Sequence, residues 1–214
     1  MTYWTDPSHH HGAIAQSWMA HPRIRARLNE RISGDARIWP TNWLHDTLLQ
    51  RLPLARTLSI GSGLGALERD LVRQGIVTQV TGLDFAGDVL EKARAAAEAE
   101  GLDARVRYEA ADAFEYLKTH GGFDTIFFHQ SLHHFERIDE LLKLVHDALA
   151  PDGVLWFDEF VGRSMAQWTW RDLVMPNAVY YMLPKAVRRV RRIRTPRNPD
   201  DPSEAVCAAE ILPA

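Results

Sequence analysis

The sequence predicts an α/β protein whose parallel sheet is covered by helices on both faces. Between residues 56 and 160, short apolar segments alternate with segments whose apolar residues recur at helical spacing. One apolar segment, 123–129, has the composition of a strand that is buried on both faces. A glycine-rich turn at 61–65 follows the first of these strands directly. Strands that alternate with helices need crossover connections, which make neighbouring strands parallel.

Five strands and three helices can be placed in this region. The predicted strands are 57–60, 77–84, 106–110, 123–129 and 154–160. The predicted helices run from the glycine turn to Gly75, from 86 to 100 and from 138 to 149. Residues 151–153, Pro-Asp-Gly, are predicted to form a turn before the last strand.

Helical segments flank this region on both sides. Pro22 predicts a helix that ends near Gly34, and Thr41 is expected to cap a second helix. After residue 160 the pattern is helical again, and a last short helix is expected at 203–211. One domain is therefore expected, with an N-terminal helical cap (1–54), a core (55–160) and a helical, basic C-terminal extension (161–214).

Composition excludes several protein classes. The chain has 214 residues, of which 46% are hydrophobic and 25% charged, which is enough to bury a core. No apolar stretch approaches the roughly 18 residues of a membrane span, and residues 1–6 lack the order of a signal peptide. Cys207 is the only cysteine, so no intrachain disulfide can form and a cytoplasmic location is expected.

The net charge of −3 predicts no polyanionic partner, but one segment near the C-terminus is strongly basic. Its basic residues are Lys185, Arg188, Arg189, Arg191, Arg192, Arg194 and Arg197. Their spacing with Val187, Val190 and Ile193 predicts an amphipathic helix. Such a helix either binds an anionic substrate, a membrane surface or nucleic acid, or is solvated and pairs with the acidic body. No nucleic-acid partner is expected, because no RNA-binding module or extended basic, aromatic stripe accompanies it.

The glycine turn is the first candidate site, since ligands of parallel sheets bind beyond the carboxyl ends of the strands. Its glycines let the backbone approach a ligand closely. Asp84 ends the next strand, 19 residues after Gly65, where a carboxylate can accept both hydroxyls of a ribose. The alternative is a simple turn with a strand-end aspartate that caps a helix.

The turn departs from the dinucleotide fingerprint, because its third glycine comes one residue early. Asp112, after the third strand, adds a second carboxylate. A carboxylate there can bind the exocyclic amine of an adenine, and it suits a cofactor that has no phosphates for it to repel. Both features favour S-adenosylmethionine over NAD. An NAD-dependent oxidoreductase is the alternative, and it predicts nicotinamide binding.

Six motifs in order resemble those of class I S-adenosylmethionine-dependent methyltransferases. They are LSIGSGLG (58–65), GLD (82–84), ADA (111–113), FDTI (123–126), SLHH (131–134) and LAPDG (149–153). The flanks, at 40–43 and 158–168, resemble a bacterial subgroup that acts on small molecules. The resemblance implies a doubly wound, Rossmann-like sheet.

Members of this family close the sheet with an antiparallel hairpin, but residues 161–214 contain no two good strands. The hairpin is therefore expected to be missing. The following segment or a second copy of the chain, in a homodimer, is expected to cover the exposed edge at 154–160.

The resemblance also implies which residues bind the cofactor. These positions are Gly61, Ser62, Gly63, Gly65, Asp84, Phe85, Asp112, Ala113, His129 and Gln130. The loop would line the methionine part, the two aspartates would hold the ribose and the adenine amine, and the residues after the fourth strand would face the sulfonium. The family usually has an acid where this chain has Ser59.

Methyl transfer from a sulfonium depends mainly on positioning, but an oxygen or nitrogen acceptor can need a base. The candidate catalytic residues are His133, His134 and Glu159, with His129 and Asp158 also at strand ends. The alternatives are histidines that pack on or cap the next helix, and a glutamate paired with a local arginine. Adjacent histidines at 9–11 predict an N-terminal lid rather than a metal site, and no Cys/His spacing supports zinc.

Two hypotheses about function follow. The first is a methyltransferase that acts on a small-molecule acceptor, at oxygen, in a biosynthetic pathway. The second is a protein of the same fold that binds the cofactor or a partner without transferring methyl. Tryptophans outside the sheet region either roof a ring-containing acceptor or pack the added helices; they are Trp4, Trp18, Trp39, Trp43, Trp168 and Trp170.

Overall fold

The computed structural model describes residues 21–47, 54–159, 161–195 and 205–211. Its five strands are β1 (Thr57–Ile60), β2 (Val80–Asp84), β3 (Val106–Ala110), β4 (Phe123–His129) and β5 (Leu149–Asp158). They form one sheet in the order β3-β2-β1-β4-β5, and every neighbouring pair is parallel. The predicted α/β, Rossmann-like architecture is confirmed. Chain order reverses between β1 and β4, which is where such sheets bind ligands.

Seven α-helices lie in the described part of the chain. They are α1 (Pro22–Ser33), α2 (Pro40–Thr47), α3 (Ala66–Arg73), α4 (Gly87–Ala99), α5 (Ala113–Thr119), α6 (Ile138–Ala148) and α7 (Val174–Met182). Short 3₁₀ turns occur at Leu132–His134, Met165–Gln167, Trp170–Leu173 and Lys185–Val187.

The sheet separates two apolar cores, because successive side chains of a strand point to opposite faces. Leu58 and Ile60 of β1 lie in the first core, with α5, α6 and part of the segment 205–211. Phe127 of β4 lies in the second core, with α3, α4 and Leu44 of α2. The N-terminal helical flank therefore packs on the same face of the sheet as the helix that follows the glycine loop.

Two predicted helices near the C-terminus are wrong. The basic segment forms only the turn Lys185–Val187, and residues 188–195 are not helical. Val187 and Val190, the proposed apolar face, are exposed. Residues 205–211 form turns and bends rather than the expected helix.

Several element boundaries also differ from the predictions. Pro40 begins α2, so Thr41 lies inside the helix rather than capping it, since proline suits the first helical position. The predicted turn at 151–153 lies within β5, because Leu149 and Val154 both pair with β4 across a bulge. The second strand begins at Val80 instead of residue 77, and α5 was not predicted.

The outer edge of β5 has no strand beside it among the described residues, which also contain no antiparallel hairpin. Residues 153–158 are half-buried. Coverage of this edge by the later segment or a second copy stays a prediction. None of the helices in the described ranges is long and apolar enough to cross a membrane.

Candidate functional site

The loop 61–65 connects β1 to α3 in a conformation that needs glycine. Gly61, Gly63 and Gly65 have φ angles of 75°, 51° and 71°, in the left-handed region. A Cβ on Gly61 would overlap the side chain of Ser131, which follows β4. The Gly61 amide donates to the Leu83 carbonyl at 2.8 Å. The loop is therefore fixed between β2 and the segment after β4.

Tyr108 of β3 fills the space beneath this loop. Its hydroxyl donates to the Gly65 carbonyl at 3.0 Å, and its ring occupies the volume that side chains at Gly65 or Gly82 would need. Burial, with a smaller contribution from Glu68, raises the pKa of the Tyr108 phenol. Gly65 is buried, so its contribution is to the shape of the loop.

Asp84 holds the loop from the end of β2. Its Oδ2 accepts a hydrogen bond from the Gly63 amide at 2.8 Å, and its Oδ1 accepts one from the Ala86 amide at 3.0 Å. The next residue, Phe85, is 56% exposed. A carboxylate beside an exposed aromatic ring is suited to a ribose that carries a planar base.

Asp112 lies after β3, at the same edge of the sheet, and caps α5. Its Oδ1 accepts hydrogen bonds from the amides of Phe114 and Glu115, at 2.8 and 3.1 Å. Asp112 therefore caps a helix, although the sequence analysis raised the capping alternative for Asp84. Ala113, the first residue of α5, is buried. The side chain of Asp112 is exposed at this edge.

His129 and Asp158 form a pair at the ends of β4 and β5. The imidazole Nδ1 lies 3.4 Å from Asp158 Oδ2, and the side chain of His129 is 42% exposed. The imidazole lowers the pKa of Asp158 below its ordinary value. Gln130, with a φ of 54°, donates from its backbone and side-chain nitrogens to the Asp158 carbonyl, each at 2.9 Å. The ring of His129 stacks on Trp156.

Glu159 is buried and ties down the segment after β4. One carboxylate oxygen accepts from the amides of Ser131 and Leu132 at 2.6 and 2.5 Å, and the other lies 2.6 Å from His133 Nδ1. The side chain of Glu159 is 0% exposed. The expected alternative of a pairing with an arginine is wrong, because amides and an imidazole surround the carboxylate. The ring of His134 lies 4.2 Å from that of His133.

Glu68, in the first turn of α3, is a candidate that the sequence analysis missed. Its carboxylate oxygens are buried and have no hydrogen-bond partner in the described part of the chain. Burial raises its pKa; the Ser59 hydroxyl, which falls short of a full hydrogen bond, and the His129 imidazole lower it less. Its position one turn before Leu71 and Val72, on the same helical stripe, was the available signal.

Some expected features lie outside the described residues. They include the histidines at 9–11, which were predicted to form an N-terminal lid, and Trp4 and Trp18. Trp39 and Trp170 are exposed. Within the described ranges, no group of three or more histidine, cysteine or acidic side chains is arranged to hold a metal ion.

Comparisons with known proteins identify the region that carries this site. A family model described as a methyltransferase domain matches residues 57–153. The demethylmenaquinone methyltransferase of Thermus thermophilus is 34% identical over 115 residues, which are 54% of this chain and 51% of that protein. The 27-O-demethylrifamycin SV methyltransferase of Amycolatopsis mediterranei is 32% identical over 124 residues, covering 56% of this chain and 45% of that protein. The chain spans about half the length of the curated relatives it matches.

Solved structures show the same fold. The plantazolicin methyltransferase BpumL, in complex with a triazolic desmethylPZN analog and SAH, has a TM-score of 0.52 at 17% identity, and the match covers 77% of this chain and 57% of that chain. The [4+2]-cyclase SpnF has a TM-score of 0.51 at 24% identity, covering 58% and 45%. These likenesses concern the fold alone. The matched family model and the relatives, rather than these likenesses, lead to one assignment: residues 57–153 form a class I S-adenosylmethionine-dependent methyltransferase domain.

Proposed function

We propose that the chain transfers a methyl group from S-adenosylmethionine to a hydroxyl oxygen of a small-molecule acceptor. The observation that carries this proposal is the meeting of the glycine loop, Asp84 and the His129–Asp158 pair at one edge of the sheet. Relatives named as O-methyltransferases, including one for ubiquinone biosynthesis, support the acceptor class.

The residues at this edge fit the cofactor. The loop offers backbone without side-chain bulk, Asp84 is held in place by two amides, and Phe85 offers an exposed ring. Asp112 stands at the same edge with one oxygen committed to its helix cap. Bound there, the cofactor supplies a methyl group on a sulfonium, whose leaving group is neutral. The protein's task is then to position the acceptor and to take its proton.

We assign that proton transfer to His129 rather than to the other candidates. Its imidazole is partly exposed at the sheet edge, and Asp158 stabilises the protonated ring. His133 and Glu159 are buried against each other and against backbone amides, which gives them a positioning role. His134 packs on His133. An enzyme with this arrangement needs the neutral imidazole, because only that form can accept the proton of the acceptor hydroxyl.

The experiment is methyl transfer from labelled S-adenosylmethionine to a panel of phenols, hydroquinones and polyketide alcohols. Asp84→Ala is expected to weaken S-adenosylhomocysteine binding more than tenfold in calorimetry. Asp88→Ala, which removes an exposed carboxylate in the first turn of α4, is the matched control and leaves binding unchanged. His129→Ala is expected to retain binding and lose turnover.

The outcomes separate the two hypotheses about function. Binding of S-adenosylhomocysteine without turnover on any acceptor would favour the noncatalytic binding protein. Absence of binding in the wild-type chain would overturn both. Turnover that survives His129→Ala would leave the transfer intact and remove the proposed base.

The broader setting of this activity is also proposed. We infer a cytoplasmic enzyme of one domain, with the divisions 1–54, 55–160 and 161–214, and with no nucleic-acid partner. A homodimer in which a second copy covers the outer edge of β5 fits this sheet, because no strand lies beside that edge among the described residues. Size-exclusion chromatography with light scattering measures that state directly.

A further inference from the structure

Glu68 is a buried acid with no visible task in the free protein. It is 1% exposed, and neither carboxylate oxygen has a hydrogen-bond partner among the described residues. Burying a carboxyl group without hydrogen bonds is unfavourable, because the group loses its hydration and gains no partner in return. Such a group in a folded chain therefore calls for an explanation, and a missing ligand is one.

Its surroundings place Glu68 beneath the glycine loop. It belongs to the first turn of α3, which follows the loop directly, and it lies beside the Ser59 side chain of β1. Ser59 pairs in register with Gly82 of β2, and Gly82 pairs with Tyr108, whose hydroxyl supports the loop. Glu68 thus lies between α3 and the sheet, on the face where the loop turns.

The charged and titratable groups that face Glu68 do not neutralise it. Arg69, its neighbour on α3, is committed to Glu100 and to the carbonyls of Leu64 and Gly65. His129 of β4 is paired with Asp158. The hydroxyl of Tyr108 of β3 donates a hydrogen bond to the Gly65 carbonyl. These are the groups from neighbouring elements that act on the acid, and each has another partner.

A second buried side chain in the loop is also unpartnered. The hydroxyl of Ser62 is buried without a hydrogen bond among the described residues, and its Cβ lies against Gly82. Two orphaned polar groups, a carboxyl and a hydroxyl, therefore lie in one loop-and-helix unit. A ligand that brings both a cation and an acceptor, as an amino acid does, suits such a pair.

We propose that Glu68 binds the ammonium group of the methionyl part of S-adenosylmethionine. It would supply from α3 the acid that related domains carry on β1, where this chain has Ser59. The inference rests on the cofactor-binding part of the proposed function. Asp84 and Asp112 are assigned to the ribose and the adenine amine, and Asp158 is paired with His129, so the ammonium needs an acid of its own.

This arrangement has a proton consequence. Burial favours the neutral carboxyl in the free protein, and a cation next to it favours the carboxylate. The acid then loses its proton to solvent as the ammonium binds, and no other bond forms or breaks. Binding therefore releases a proton from Glu68 and grows stronger as pH rises toward the pKa of this acid in the free protein.

The experiment compares two ligands that differ in the amino-acid part. S-adenosylhomocysteine carries the ammonium, and 5′-methylthioadenosine lacks it. Glu68→Gln is expected to weaken S-adenosylhomocysteine tenfold or more in calorimetry and to leave 5′-methylthioadenosine unchanged. Asp70→Asn, two residues further on the same helix and half-exposed, is the control and changes neither. Titration in buffers of different ionisation enthalpy is expected to show proton release in the wild type and none in Glu68→Gln.

A rescue variant keeps the test decisive if the single change perturbs folding. Ser59→Asp combined with Glu68→Ser returns the acid to β1 and is expected to recover most of the lost affinity for S-adenosylhomocysteine. Equal loss of both ligands in a folded Glu68→Gln protein, or loss of neither, would overturn the proposal. A wild-type chain that binds neither ligand would overturn the proposed function as well, which distinguishes the two failures.

Discussion

The sheet region (54–159) and the C-terminal segment (161–195) are each stabilised by different interactions. In residues 54–159, large apolar side chains such as Leu58, Phe127 and Phe128 are fully buried between the sheet and its helices. In residues 161–195, Ser164 is the only buried residue. The exposed apolar residues of this segment are Val161, Trp170, Val174, Met175, Val179, Tyr181, Met182, Leu183, Val187 and Val190.

The C-terminal segment is organised by hydrogen bonds to itself. Asn177 of α7 bonds to both the carbonyl and the amide of Ile193, and the hydroxyl of Tyr180 bonds to the backbone of Val190. These contacts fold the chain back along α7 without burying its apolar side chains. The comparison shows that stability resides in the sheet region, whereas the C-terminal segment presents surface.

The largest expected difference is between a core and a surface truncation. Phe127→Ala removes a fully buried ring next to Trp156 and is expected to lower the free energy of unfolding by about 3–5 kcal/mol. Met182→Ala, in an exposed position of α7, is expected to change it by less than about 0.5 kcal/mol. Urea unfolding followed by circular dichroism measures both. Similar losses of unfolding free energy in the two variants would mean that Met182 of α7 is buried against another surface in solution.

Next in size is the buried acid that anchors the segment after β4. Glu159→Ala removes the carboxylate that accepts from two amides and contacts His133, with an expected loss of about 3 kcal/mol. Glu140→Ala removes an acid from an exposed ion pair with Arg137 and is expected to cost less than about 1 kcal/mol. Thermal unfolding of the two variants provides the test. A near-wild-type Glu159→Ala protein would contradict the anchoring role.

A smaller loss is expected at the glycine loop. Gly61→Ala combines a left-handed backbone with a clash against Ser131, for about 2–3 kcal/mol. Gly63→Ala has the same kind of backbone strain but open space around the new methyl group, so about 1 kcal/mol is expected. The difference between the two unfolding free energies isolates the clash, and no difference would show that the loop moves away from Ser131.

The smallest expected effect is a gain in stability. The raised pKa of Glu68 means that its contribution is fully present below the pKa of the unfolded chain and is lost as pH rises through the folded value. Glu68→Met is therefore expected to be about 1 kcal/mol more stable than the wild type at pH 8, with the gap shrinking toward pH 4. Unfolding free energies across this pH range test it. A constant gap would show that Glu68 does not titrate on folding.

The bounds of some strands and helices could be predicted from the sequence, because local side-chain and backbone preferences determine them. β1, β3 and β4 have the predicted bounds, and β1 is an apolar run that lies between Arg56 and Gly61. The N-terminal start of α1 at Pro22 was also predicted from the conformational limits of proline. The glycine loop was recognisable because its backbone leaves few alternatives to glycine, and Asp84 lies where the sequence analysis expected it.

The remaining features depend on tertiary contacts that spacing does not encode. Helical spacing of arginine and valine in 185–195 predicted a helix, but those valines are exposed among the described residues, so no burial of an apolar face stabilises a helix there. A glutamate on a helix is normally exposed. The only sequence signal for the burial of Glu68 is that it lies three residues before Leu71, on the same face of the helix. Likewise, the partners of Glu159 lie in a segment almost thirty residues earlier.

In the free protein, the Gly63 amide already occupies the Asp84 carboxylate oxygen, so a bound ribose has to compete with this amide for it. A nucleoside that offers hydroxyls to this carboxylate exchanges one good partner for another. A 2′-deoxynucleoside offers only its 3′-hydroxyl, so it replaces less of the interaction that Asp84 already makes with the loop. Discrimination between the two sugars would then come from the resting state of the backbone, before any part of the acceptor has arrived.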